Sequence, residues 1–132
     1  MSFERVLIFQ KDHAITERLG PTRATPLAYA PPRQMLELVQ RYQPAVIIFQ
    51  LEPLPSPVVR AVELIMAEQP TPILLVGGPE HQTLAFDLMK RGALEVTTLP
   101  PGPDPQFTAR LEKQVRLLST VKVVKHTLGS RR

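Results

Sequence analysis

The sequence has no cysteine and no tryptophan. Without thiols it can form no disulfide, no thiolate nucleophile and no thiolate metal site. Its three histidines, His13, His81 and His126, lie far apart and none has an H-x-x-x-H partner, which argues against a zinc site. Tyr29, Tyr42 and five phenylalanines are too few ring faces for a stacking platform on single-stranded nucleic acid. Ser2, Ser56, Ser119 and Ser130 lack a G-x-S-x-G frame, so no hydrolase elbow is present. The glycine pair of "VGGPE" (76–80) lacks the spacing and the lysine of a phosphate loop and reads as a strand-to-helix turn. No apolar run approaches the roughly 18 residues of a membrane span. The start, MSFER, lacks a signal-peptide pattern. These absences lead us to expect a cytoplasmic protein with no cofactor and no metal.

What remains is an ordinary globular composition. At 132 residues, 43% hydrophobic and 21% charged, the chain is expected to form one domain with a real core. The charge is unevenly placed. Residues 105–132 hold Arg110, Lys113, Arg116, Lys122, Lys125, Arg131 and Arg132 against the single acid Glu112, whereas the net charge of the whole chain is only +4. The basicity therefore belongs to the C-terminal segment, and most such segments are simply solvated.

Five short apolar runs stand out: "RVLIF" (5–9), "TPLAYA" (25–30), "AVIIFQ" (45–50), "PILLV" (72–76) and "LEVTTL" (94–99). Runs that are apolar on both faces suit parallel strands covered by helices on both sides. Between them, Gln34–Tyr42, Pro57–Glu68 and His81–Arg91 carry apolar residues at helical spacing, the last with Leu84, Ala85, Leu88 and Met89. Gly92 stands where a helix C-terminus favours glycine. "DHAITERLG" (12–20) reads as a weak helix capped by Asp12. A last helix is expected from Asp104-Pro105, with Phe107, Leu111, Val115 and Leu118 toward a sheet. The order is (βα)5, which predicts an open, doubly wound parallel sheet whose functional edge is the carboxyl ends of the strands. Residues 1–104 would form the body, 105–126 an extended last helix, and 127–132 a basic tail. His13 and His81, near helix starts on that edge, are expected to be solvated.

"RVLIF", "LELVQRYQPAVIIFQLE", "AVELIMAEQPTPILLV", "LMKRGALEV", "LPPG" and "KQVRLLSTVKVVKH" carry a family resemblance. Across about residues 4–126 the chain resembles a response-regulator receiver domain, most closely the regulatory domain of the chemotaxis protein-glutamate methylesterase. The resemblance implies the flavodoxin-like receiver fold. It also implies phosphoryl transfer to an aspartate, with Mg²⁺ held by neighbouring acids and a hydroxyl and a lysine on the phosphoryl oxygens. At the matching positions stand Gln10 and Lys11 for the acidic pair, Gln50 for the phosphoacceptor, Gly77 for the hydroxyl and Leu99 for the lysine. Val96 stands for the aromatic residue that reports activation. An amide is too poor a nucleophile for this reaction, and Lys11 brings positive charge where the metal belongs. Asp12 reads as a cap and Glu52 lies beyond the strand end.

The expected function is therefore that of a phosphorylation-independent pseudo-receiver, not an enzyme, acting as a protein–protein interaction module in bacterial chemotaxis-like or motility signalling. Its partner would be a component of a chemotaxis-type kinase array, a methyltransferase, an adaptor, or a second copy. Membrane insertion and nucleic-acid binding are not expected. The face made by the fourth helix, fifth strand and fifth helix, Leu84–Leu118, with Leu88 on it, is the expected docking surface by resemblance. A second stripe, Leu117, Val121, Val124 and Leu128, would form a seam on the extended last helix. The Lys11 ammonium would reach Gln50 or Glu52. Two alternatives stand beside this reading: the regulatory domain of a methylesterase whose catalytic domain is absent, and a nucleic-acid-binding regulator using the basic C-terminal helix.

Overall fold

The computed structural model describes residues 5–12, 15–16, 24–51, 57–102 and 104–123. Its strands are β1 (Val6–Gln10), β2 (Thr25–Ala28), β3 (Val46–Gln50), β4 (Ile73–Gly77) and β5 (Glu95–Thr98). Its helices are α1 (Pro32–Tyr42), α2 (Pro57–Glu68), α3 (Gln82–Lys90) and α4 (Pro105–Leu118), with one 3₁₀ turn at Pro79–His81. All pairings are parallel, in the order β2-β1-β3-β4-β5. The five apolar runs of the sequence are these five strands.

Strand alternation divides the core in two. Leu7, Phe9, Ile47, Phe49, Ile73 and Leu75 face α1, α2 and α3, while Val6, Ile8, Val46, Ile48, Leu74 and Val76 face Ile15 and α4. Phe9 and Phe49, opposite one another in register, stack with centroids 5.1 Å apart. Each fully buried side chain of this kind contributes about 1.5–3 kcal/mol by leaving water. The three central strands have no solvated face, which is why their sequences are continuously apolar.

The chain ends of the helices are set by local chemistry. Asp104 Oδ1 accepts from the Gln106 N–H at 3.0 Å, and Pro105 follows it at the first helical position, where a missing N–H costs nothing. α1 ends on Gln43, which is in the left-handed region at φ 48° and returns its N–H to Val39 O at 2.8 Å. The Arg5 guanidinium then donates from Nε (3.0 Å) and Nη2 (2.7 Å) to the Gln43 carbonyl. After α3, Gly92 takes φ +123°, and a Cβ there would stand 2.7 Å from Met66 Cγ. Arg91 binds Asp87 through Nε at 3.1 Å and also pairs with Glu63, joining α3 to α2. The Asp87 hydrogen bond raises the guanidinium's already high pKa, so the charge on Arg91 is constant near neutrality and is lost as pH rises through strongly basic values.

The last helix is shorter than expected. It stops at Leu118, where Ser119 Oγ donates to Arg116 O and Thr120 Oγ1 donates to Leu117 O, each at 2.7 Å. Residues Val121–Val123 are not helical, and Val123 packs against the cluster on the far side of the sheet. The predicted continuation to residue 126 is therefore absent at Ser119–Val123. Val124, His126 and Leu128 lie outside the described residues. So do His13, Glu52 and most of the expected first helix, of which Ile15 and Thr16 are helical and Ile15 is buried. Among the described residues no helix is long and apolar enough to cross a membrane.

Candidate functional site

The strand order reverses between β1 and β3, and the crevice at such a reversal is where an open α/β sheet places its ligands. Gln10 and Gln50 end these two strands, and Gly77 ends β4 beside them. Gln10 is only 4% exposed, and its Oε1 has no hydrogen-bond partner among the described residues. Gln50 is half-buried, and its Oε1 accepts from the main-chain N–H of Lys11 at 3.0 Å. The expected link between Lys11 and Gln50 thus exists, but the peptide N–H makes it rather than the ammonium. A hollow of about 190 Å³ opens beside them, lined by Gln10, Lys11, Asp12 and the β2 residues Pro26, Leu27 and Ala28. Among the described residues, Asp12 is the one carboxylate in that lining. Among the described residues no three histidine or acidic side chains gather into a metal site.

Leu99 follows β5, donates its N–H to Gly77 O at 3.0 Å and packs its side chain on the α4-side cluster. The position of the expected lysine is therefore filled by apolar contact. At Gly77 a Cβ would meet His81 Nδ1 at 2.9 Å, so the histidine ring occupies the space beside it. His81 is 9% exposed and its Nδ1 accepts from the Gly78 N–H at 2.9 Å. The expectation of a solvated His81 is corrected. The ring turns inward because it closes half of a capping box, a role usually given to glutamate or glutamine three residues after the cap.

The face over β5 also differs in detail from expectation. Leu88 is fully buried and is not presented to a partner, whereas Leu84 is half-buried against the core. The exposed apolar residues are instead Phe86 (67%) and Met89 on α3, Val96 on β5 and Leu117 (60%) on α4. Val121, from the expected seam, is exposed as well, and Val124 and Leu128 lie outside the described residues. Gln114 Nε2 donates to Glu95 Oε1 at 3.1 Å and fixes α4 alongside β5. Beneath Phe86 and Val96 lies a second cavity of about 190 Å³ that reaches Gly77 and His81.

No protein-family model matches the chain. It is 36% identical over 99 residues to a protein-glutamate methylesterase/protein-glutamine glutaminase of Nitrosospira multiformis, covering 70% of this chain and 28% of that protein. It is also 36% identical over 91 residues to the protein-glutamate methylesterase FrzG of Myxococcus xanthus, covering 68% and 27%. The chain thus spans little more than a quarter of the length of these curated relatives. The response regulator domain of Thermotoga maritima CheB superposes with a TM-score of 0.67 at 21% identity, covering 89% of this chain and 97% of that one. The signal receiver domain of a LuxO-type repressor from Vibrio parahaemolyticus gives 0.64 at 20% identity, covering 88% and 89%. By fold and by sequence the chain belongs to the receiver domains, and among them it is related to the regulatory domains of protein-glutamate methylesterases.

Proposed function

We propose that this receiver domain works without phosphorylation, as a protein–protein interaction module in chemotaxis-type or motility signalling. One observation carries the reading: among the described residues Gln10 and Gln50 end β1 and β3, and Asp12 is the single carboxylate lining the hollow beside them. The fold family implies a divalent cation at this edge, and Mg²⁺ requires hard, largely anionic oxygen ligands in near-octahedral array. Gln10 and Gln50 offer neutral oxygens, and that of Gln50 already accepts from Lys11 N–H at 3.0 Å. These residues do not fit the metal. Nor does the edge offer a phosphoryl group a nucleophile at Gln50, a hydroxyl at Gly77 or an ammonium at Leu99.

The surface left for function is the one over β5. Phe86, Met89, Val96 and Leu117 supply exposed apolar area there, and Lys90, Arg110 and Lys113 are basic residues on the flanking helices. Such a surface suits a partner with apolar anchors and acidic surroundings. The test is titration of Mg²⁺ and beryllofluoride followed by amide chemical shifts. No saturable change centred on residues 10, 50 and 77 is expected, and such a change would overturn the reading.

A second reading keeps the same inert edge but attaches it to an enzyme. It is favoured by the names of the relatives, which are methylesterases of which this chain spans only about a quarter. In that case the β5 face would dock on a methylesterase domain of the same polypeptide. The mass of the native protein separates the two readings.

A further inference from the structure

We propose that the open edge of β5 takes up an extended, acidic segment of a partner protein as one further strand of the sheet. The proposal rests on the β5 face being this domain's binding face, and it specifies the form and charge of what binds there.

The two edges of the sheet are not alike. β2 and β5 each have a strand on one side only, so half of their main-chain N–H and C=O groups point away from the sheet. β2 carries Pro26 inside the strand, and a proline has no N–H to offer a neighbour. β5 reads Glu-Val-Thr-Thr, with neither proline nor lysine, and Glu95, Val96 and Thr98 are exposed. Its single charge is already engaged, since Gln114 Nε2 donates to Glu95 Oε1. Apart from its shortness, nothing in β5 discourages a further strand.

Apolar side chains flank this edge above and below. α3 and α4 pack on opposite faces of the sheet. Phe86 of α3 and Val96 lie on one face, and Leu117 of α4 lies on the other. A strand sends alternate side chains to opposite faces, so an added strand would find apolar contacts on both. A helix carries its apolar residues along one stripe and would leave the β5 main chain unpaired. The arrangement selects an extended partner.

Charge selects its composition. On α4, Arg110 and Leu117 stand one turn either side of Gln114, the residue held to β5, and Lys113 stands one turn before Leu117. Lys90 stands one turn after Phe86 on α3. The acids of the two helices are turned elsewhere. Asp87 binds Arg91, and Glu112 lies about 200° around α4 from Gln114. Lys90, Arg110 and Lys113 are all exposed, so cations border the edge on both sides. A second copy of this chain would set the same cations against them. An acidic partner therefore fits, and a β5–β5 dimer does not.

The probe is the capped peptide Glu-Glu-Val-Thr-Val-Thr-Val-Glu-Glu, titrated into the isotope-labelled protein. It should give saturable amide shifts centred on Glu95–Thr98, with slower hydrogen exchange at those amides. The same peptide N-methylated along its Val-Thr core keeps its side chains and charge but cannot donate main-chain hydrogen bonds. It should bind at least about tenfold more weakly. A lysine-flanked version should lose about tenfold or more with the parent protein and regain it with the Lys90→Glu, Lys113→Glu variant, whose two sites are exposed. Absence of saturable shifts at β5 would overturn the proposal. Equal affinity for the plain and N-methylated peptides would also overturn it, while leaving the β5 face as a surface read by side chains. Binding untouched by Phe86→Asp with Leu117→Asp would overturn both the proposal and the reading of the β5 face on which it rests.

Discussion

The main-chain N–H of Lys11 lies 3.0 Å from Gln50 Oε1, so the loop after β1 is tied to the end of β3 by a side-chain oxygen. Gln50→Ala removes the acceptor and should lower stability by about 1 kcal/mol. A shift of the urea midpoint with unchanged slope checks it. Gln50→Asp restores a carboxylate without restoring the acidic pair at Gln10 and Lys11. Its intact mass should stay unchanged after incubation with acetyl phosphate and Mg²⁺, and a phosphorylated species would refute the account of the inert edge.

Gln43 adopts φ 48° at the end of α1, a region that a side chain makes unfavourable by roughly 1–2 kcal/mol. Gln43→Gly relieves that conformation while keeping the carbonyl that Arg5 grips. The gain should be smaller than the strain, up to about 1 kcal/mol, because glycine has more unfolded-state entropy to lose. Chemical denaturation should show a higher midpoint, and Arg5→Ala should show a lower one.

Gly92→Ala should act in the opposite sense. The backbone is at φ +123° and the new Cβ would meet Met66 Cγ at 2.7 Å, so strain and overlap add. A loss of at least about 2 kcal/mol is expected. Pairing Gly92→Ala with Met66→Ala tests the cause: the double variant should lose less than the sum of the two single losses if overlap matters, and the full sum if only the backbone angle does.

Phe86→Asp combined with Leu117→Asp should leave the fold intact, with stability within about 0.5 kcal/mol of the parent for each exposed site. The same double variant should lose binding to any partner that docks over β5. Circular dichroism and binding to an identified partner measure the two halves. Leu88→Asp is the contrasting case: that side chain is fully buried and its replacement should unfold the domain.

The strands and the last helix start were readable because their chemistry is local. "VIIFQ" has no polar face to offer, and Asp104-Pro105 carries its own cap. α3 was harder. Leu84, Ala85, Phe86, Leu88 and Met89 are spread around a nine-residue helix, so periodicity alone does not choose which side meets the sheet. Burial resolves it by turning Leu88 in and Phe86 out. The end of α4 had a signal, since Ser119 and Thr120 can recapture helix carbonyls and the following valines favour extended backbone. His81 was the least legible residue. Its burial depends on Gly77 leaving space and on Gly78 offering an N–H, and only the folded turn brings those two facts together.

Val123 rests on the opposite face of the sheet from α4, so the backbone rounds the amino-terminal edge between Leu118 and Val123. Mechanically, this stretch is a hem. Among the described residues, a pull on the backbone beyond Val123 would lift that side chain in peel, whereas the strand ladders would have to give way in shear. Such a pull loads, among the described residues, the Val123 contact and the hydroxyl-bonded turn of Ser119 and Thr120 before it reaches α4.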